Sequence, residues 1–143
     1  MWNIMKLKHS GSRLSAAFLA LLLTGCGSKE IKAVDIYPED MCAHCRMAVS
    51  DERFACEVVT NSGEALKFDD IGCLEQYLAA KPGTVMVMET FYKDYATRSW
   101  IPAAAATIIK TDVMTPMGSG KVAFADPNAA AGFQQVHVAE GDK

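Results

Sequence analysis

Three features of the sequence predict an α+β fold, built as one small domain of two loosely similar strand-strand-helix-strand halves. Short β-branched and apolar segments are separated by turn residues, two segments carry helical apolar spacing with recognisable caps, and the 143-residue chain is long enough for one core. The first half begins with "RFACEVVT" (53–60), rich in β-branched and apolar residues, and returns through the turn Asn61-Ser62-Gly63 into "EALKF", which reads as a hairpin. "DDIGCLEQYLAAKPG" follows, with Asp69 or Asp70 placed to cap a helix, Ile71, Leu74, Tyr77 and Leu78 on one face, and Lys81-Pro82-Gly83 as its stop. "TVMVMET" (84–90) is nearly continuous in apolar residues and predicts a strand buried on both faces, with Met86 and Met88 as core fillers. In the second half "YATRSWI" reads as strand, "IPAAAA" as a short helical or irregular piece, and "TIIKTDV" and "KVAFAD" as strands. "PNAAAGFQQVHVA" closes it as a helix opened by Pro127.

The N-terminus decides the compartment. Lys6, Lys8 and Arg13 precede the apolar run "LSAAFLALLL", whose ten residues fall well short of the roughly 20 that span a bilayer and fit a signal-peptide core. The run ends in Leu23-Thr24-Gly25-Cys26, which resembles the lipobox of bacterial lipoproteins, with Cys26 as the lipidated new N-terminus. Gly27 stands where the resembled class carries an aspartate for inner-membrane retention, so outer-membrane anchoring on the periplasmic side is expected. The expected organisation is a signal peptide over 1–25, a lipid-anchored tether over 26–40 and a folded domain over 41–143. Losing the three basic residues of the signal leaves 11 Lys and Arg against 17 Asp and Glu, moving the net charge from −3 to −6. Such a balance disfavours nucleic acid as a partner.

The chemistry concentrates in "MCAHCRM" (41–47), with two thiols, an imidazole and two thioethers in seven positions. A disulfide between Cys42 and Cys45 would close a tiny loop and stabilise little. A thioredoxin-like site needs a helix after its Cys-x-x-Cys, whereas "MAVSDERFACEVV" reads as turn and strand. Structural zinc needs four ligands, normally with a second Cys or His pair; the remaining mature thiols, Cys56 and Cys73, stand singly in strand and helix patterns and read as core. A soft-metal site uses what the other readings ignore, because thiolate with thioether selects Cu(I). In an extended segment Cys45 and Met47 would face one side, about 6.6 Å apart. Met114 and Met117 lie in "VMTPMGSG", a turn that displays them. "GSGKVA" is followed by strand and lacks the helix that phosphate binding requires. His44 and His137 are plausible additional ligands, and Asp69 and Asp70 are caps before they are anything else.

The ordered blocks "LTGC", "CAHCRM", "FDDIGCL", "WIPA" and "TPMGSG" resemble the NosL family of copper-binding lipoproteins, accessory proteins of nitrous oxide reductase, over nearly all of the mature chain. The resemblance implies periplasmic Cu(I) binding by a two-halved domain. It also implies delivery of copper toward nitrous oxide reductase with that enzyme's membrane ABC-type assembly complex. By position it places the family's Cys-x-Met on Cys45 and Met47 and its TPMG methionine on Met117, with Cys42 as an extra thiol; Arg46 stands where family members often carry glycine. No catalytic constellation is visible, so a carrier is expected and not an enzyme. Two other classes compete with it: a thiol-disulfide or organometal enzyme using Cys42 and Cys45, and a zinc-stapled structural envelope protein.

Overall fold

A computed structural model describes residues 30–138. The signal segment, Cys26, Gly27 and residues 28–29 and 139–143 lie outside the described residues. Strand β1 (Cys56–Thr60) and strand β2 (Ala65–Phe68) form the expected hairpin, in register Cys56↔Phe68 and Val58↔Leu66. Gly63 supplies the positive φ of 81° in its turn, and Thr60 Oγ1 accepts the Glu64 amide at 3.2 Å. Helix α1 (Ile71–Ala80) is capped by Asp70 alone; the Asp70 backbone is extended, at φ −154°, and its carboxylate accepts the Gly72 amide. Strand β3 (Val87–Lys93) returns beside β1, and β4 (Trp100–Pro102) adds an edge, giving the antiparallel order β2-β1-β3-β4. After a single 3₁₀ turn at Ala103–Ala105, β5 (Thr107–Lys110) and β6 (Lys121–Phe124) make a second, two-stranded antiparallel sheet, and α2 (Pro127–Val136) starts on the Asp126 cap.

The α+β class and the two helices are as predicted. The first half runs strand-strand-helix-strand; in the second, β5, β6 and α2 repeat strand-strand-helix, while β4 pairs with the first sheet through β3. Three elements differ from the sequence expectation. Arg53 and Phe54 belong to a 3₁₀ turn, Glu52–Phe54, capped by Asp51, and not to β1. In "YATRSWI" only Trp100 and Ile101 are strand, because the Asp94 carboxylate bends the chain before them: its Oδ1 accepts the amides of Ala96 at 2.8 Å and Thr97 at 2.9 Å. Finally, β3 begins three residues later than the apolar run and is not buried on both faces. Met86 and Met88 are 64% and 56% exposed and Val87 between them 41%, and none of the three belongs to either core cluster. Met86→Leu should therefore leave the unfolding free energy within about 0.5 kcal/mol of wild type in a denaturant titration, as surface substitutions usually do.

Two clusters form the core. Cys42, Cys56, Val58, Phe68, Ile71, Cys73, Leu74, Ile101 and Ala123 pack between the first sheet and α1, and Phe54, Ile109, Val122, Phe124 and Ala130 pack under α2. Tyr95 joins the second cluster through tilted ring contacts with Phe54, Phe124 and Phe133. Strand β6 serves both clusters, and the buried Asp94 stitches the sheets together. Its Oδ2 accepts the Ala125 amide at 2.7 Å, and the next residue, Tyr95, donates its amide to the Ala123 carbonyl at 2.8 Å. Burial alone would raise the Asp94 carboxyl, but the donated hydrogen bonds outweigh it and hold it below its ordinary value of 3.8. Asp94→Ala should cost about 3 kcal/mol in denaturant unfolding, because three amides lose a charged acceptor. As the folded carboxyl titrates lower than the unfolded one, wild-type stability from this group is complete above the ordinary carboxylate range and is lost as pH falls through the depressed value. The Asp94→Ala variant should lack that acid-side component.

Residues on the N-terminal side are held against the first sheet. Both Glu57 carboxylate oxygens accept the Val34 amide, at 3.1 and 3.2 Å, and Lys67 Nζ donates to the Asp35 carbonyl at 2.6 Å and pairs with Asp40 at 2.5 Å. The expected tether is thus bound to the domain from Val34 onward.

Candidate metal centre

The segment 41–48 closes on itself. Met41 bridges Ala48, the Cys42 amide donates to the Met47 carbonyl at 2.8 Å, and the Arg46 amide donates to the Cys42 carbonyl at 3.0 Å. Arg46 takes a left-handed backbone, φ 66°, at the point where the loop turns, a conformation that costs a non-glycine residue about 1 kcal/mol or more. The turn folds Cys42 and Cys45 back toward each other. A further bond, from the Ala43 amide to the Lys67 carbonyl at 2.8 Å, fastens the loop to β2. Two residues beyond Lys67 comes Asp69, and the first turn of α1 then carries Cys73.

The outcome is one tight group. One ligand atom from each of Cys42, Cys45, Cys73 and Asp69 lies within 4.8 Å of every other. Cys42, Cys73 and Asp69 are buried and Cys45 is half-buried, so one thiol faces outward over three enclosed groups. The Cys45 thiol donates to Asp69 Oδ2 at 3.4 Å, while Asp69 Oδ1 is buried with no hydrogen-bond partner among the described residues. A buried carboxylate oxygen left unpaired is costly and is the kind of atom a bound cation satisfies. Burial pushes up the Cys45 thiol, and the neighbouring Cys42 and Asp69 add to the rise. Cys73 is driven far up by burial first and then by Asp69 and Cys42. Cys45 and Cys73 are therefore protonated in the free protein, and a metal must displace those protons. All four described cysteines are free thiols.

Of the residues the sequence singled out, Cys42 and Cys45 converge. Met47 and Met117 are surface thioethers, 58% and 45% exposed, and Met114 is more exposed still. The Met117 turn is docked at the start of α1: its amide donates to Asp70 Oδ2 at 3.0 Å. Cys56 is a core thiol as read, with Sγ 3.6 Å from the Asp70 carbonyl and its pKa raised well above the ordinary value by burial. Sequence reasoning placed Cys73 in the core and Asp69 at a cap. Cys73 is in the core, but it also meets the two loop thiols, and the cap is Asp70, which frees Asp69 to turn toward them. The spacing of Asp69 and Cys73, four residues apart across a helix start, is the one local signal that they share a face.

A small α+β domain that gathers three thiols and a carboxylate at one rim, with a thiol left partly open, is a domain equipped to take a soft metal. The chain belongs to the NosL family, whose family model matches residues 33–140. Among solved structures, the copper chaperone NosL from Shewanella denitrificans is similar in fold: it is 18% identical, the match covers 74% of this chain and 87% of that one, and the TM-score is 0.66. No curated protein sequence matches significantly.

Proposed function

We propose that this protein is a Cu(I)-binding metallochaperone that carries copper as cargo. The observation that carries the reading is the mutual approach, within 4.8 Å, of Cys42, Cys45, Cys73 and Asp69. Three sulfurs make the group soft enough to prefer Cu(I), and the half-buried Cys45 gives the ion a way in and out. Cys45 and Cys42 act as the thiolate ligands, Met47 and Met117 supply thioethers from the surface, and Asp69 and Cys73 close the inner side. Membership in the NosL family and the fold shared with a protein described as a copper chaperone support the reading. Delivery to nitrous oxide reductase through its ABC-type assembly complex belongs to the same proposal and rests on the sequence resemblance. The role is that of a carrier, not an enzyme.

The test is a competition titration on reduced, anaerobic protein beginning at residue 27. One Cu(I) per chain is expected, with Zn(II) displaced by equimolar Cu(I); zinc that survives that competition would return the site to a structural zinc role. The lipid anchor is proposed on Cys26, the acylation point of "LTGC". Cys26→Ser should abolish partition of the protein with outer membranes in cell fractionation. Unchanged partition would remove the anchor from the proposal.

A further inference from the structure

Asp70 does more than cap α1. It is fully buried, and its two oxygens take different partners. Oδ1 accepts the Gly72 amide at 2.6 Å, inside the helix start, whereas Oδ2 accepts the Thr115 hydroxyl at 2.5 Å and the Met117 amide at 3.0 Å. Thr115 Oγ1 in turn accepts the Gly120 amide at 3.1 Å, closing the "TPMGSG" turn around the same carboxylate. These contacts bridge 45 to 47 residues of sequence.

Gly72 explains how the turn gets so close. A Cβ on residue 72 would stand 2.8 Å from the Ser119 Cβ, nearer than such atoms pack. Helix and turn touch because that position has no side chain. The helix start that sets Asp69 and Cys73 beside the loop thiols is therefore the same rigid body that holds the backbone of Met117. At Met117, therefore, the side chain alone is left to be ordered when an ion binds. A ligand whose backbone is fixed beforehand loses less freedom on binding, and partners that orient ligands typically change metal affinity about 10-fold to 100-fold.

We infer that Asp70, with the bare Cα of Gly72 beside it, is a positioning residue that fixes the Met117 thioether against the thiol centre and so sets Cu(I) affinity without touching the ion. The inference rests on the reading of Met117 as a thioether ligand. It is tested with Gly72→Ala, which adds one methyl at the helix-turn contact and alters no donor atom. Asp70→Asn is the direct variant, and Gly72→Ala serves where that variant fails to fold. Cu(I) affinity by chelator competition is measured for wild type, Met117→Leu, Asp70→Asn, Gly72→Ala and the Gly72→Ala/Met117→Leu double variant, alongside amide exchange at Met117 in metal-free protein. The expected result is a loss of about 10-fold in each single variant, no further loss in the double variant, and faster exchange of the Met117 amide in Gly72→Ala. If Met117→Leu weakens binding while Gly72→Ala leaves both affinity and Met117 exchange at wild-type values, the positioning role is overturned and the ligand reading stands. Losses that add in the double variant overturn it as well, since Gly72 would then act by a route other than Met117. Wild-type affinity in Met117→Leu, with Met117 exchange still accelerated in Gly72→Ala, removes the thioether from the site and the positioning role with it.

Discussion

Cys45→Ser is expected to weaken Cu(I) binding by more than the roughly 100-fold that loss of an orienting partner costs, and by more than Met117→Leu does. The reason is electrostatic as well as chemical. A thiolate brings a negative charge and a soft donor together, whereas a thioether brings softness alone and serine, at neutral pH, brings neither. Cys45 is also the thiol in the group that is only half-buried and hydrogen-bonded to Asp69, so its replacement disturbs little packing and the loss can be read as a ligand effect. Cys73→Ser is a less clean experiment, because Cys73 is buried in the first core cluster and a hydroxyl there costs stability as well. The measurement is a chelator competition titration across wild type, Cys45→Ser and Met117→Leu, with thermal unfolding as a control. Affinity unchanged in Cys45→Ser would sink the chaperone reading and return the motif to the zinc or redox alternatives.

Oxidised protein should take up no Cu(I). Cys42 and Cys45 Sγ atoms lie within the 4.8 Å group, so the two thiols are already neighbours and an oxidant can join them at the roughly 2.05 Å of a disulfide. Treatment with diamide removes two electrons and two protons from the pair, forms one S–S bond and reduces the reagent to its hydrazine. A disulfide sulfur offers no thiolate, so two of the three thiolate donors are lost together, and Cys73, Asp69 and the neutral thioethers of Met47 and Met117 lack the charge and softness to hold the ion. The loop between the two cysteines is so short that the disulfide adds little stability, which keeps the change reversible by a thiol reductant. Copper uptake with thiol counting, on diamide-treated, untreated and re-reduced samples, checks this. Equal uptake by the oxidised and reduced forms, at thiol counts differing by two, would contradict the assignment of Cys42 and Cys45.

What the sequence determined by itself was local. The turn Asn61-Ser62-Gly63, the acidic cap before α1 and the Pro127 start of α2 are read correctly because each depends on residues within four or five positions of one another. The concentration of sulfur in "MCAHCRM" was legible for the same reason. Burial was not, because it depends on what packs against the faces of the sheet: Met86 and Met88 have an apolar run around them but belong to neither core cluster. The centre divides along the same line. Cys45 meets Asp69 across 24 residues and Asp70 holds Thr115 across 45, and no periodicity in the chain records either contact. Only when the Ala43 amide finds the Lys67 carbonyl, and Asp70 takes the cap, do Asp69 and Cys73 turn from helix-start residues into the inner wall of a thiol site. Side-chain chemistry is written along the chain, whereas the company each side chain keeps is set by backbone hydrogen bonds between segments distant in sequence.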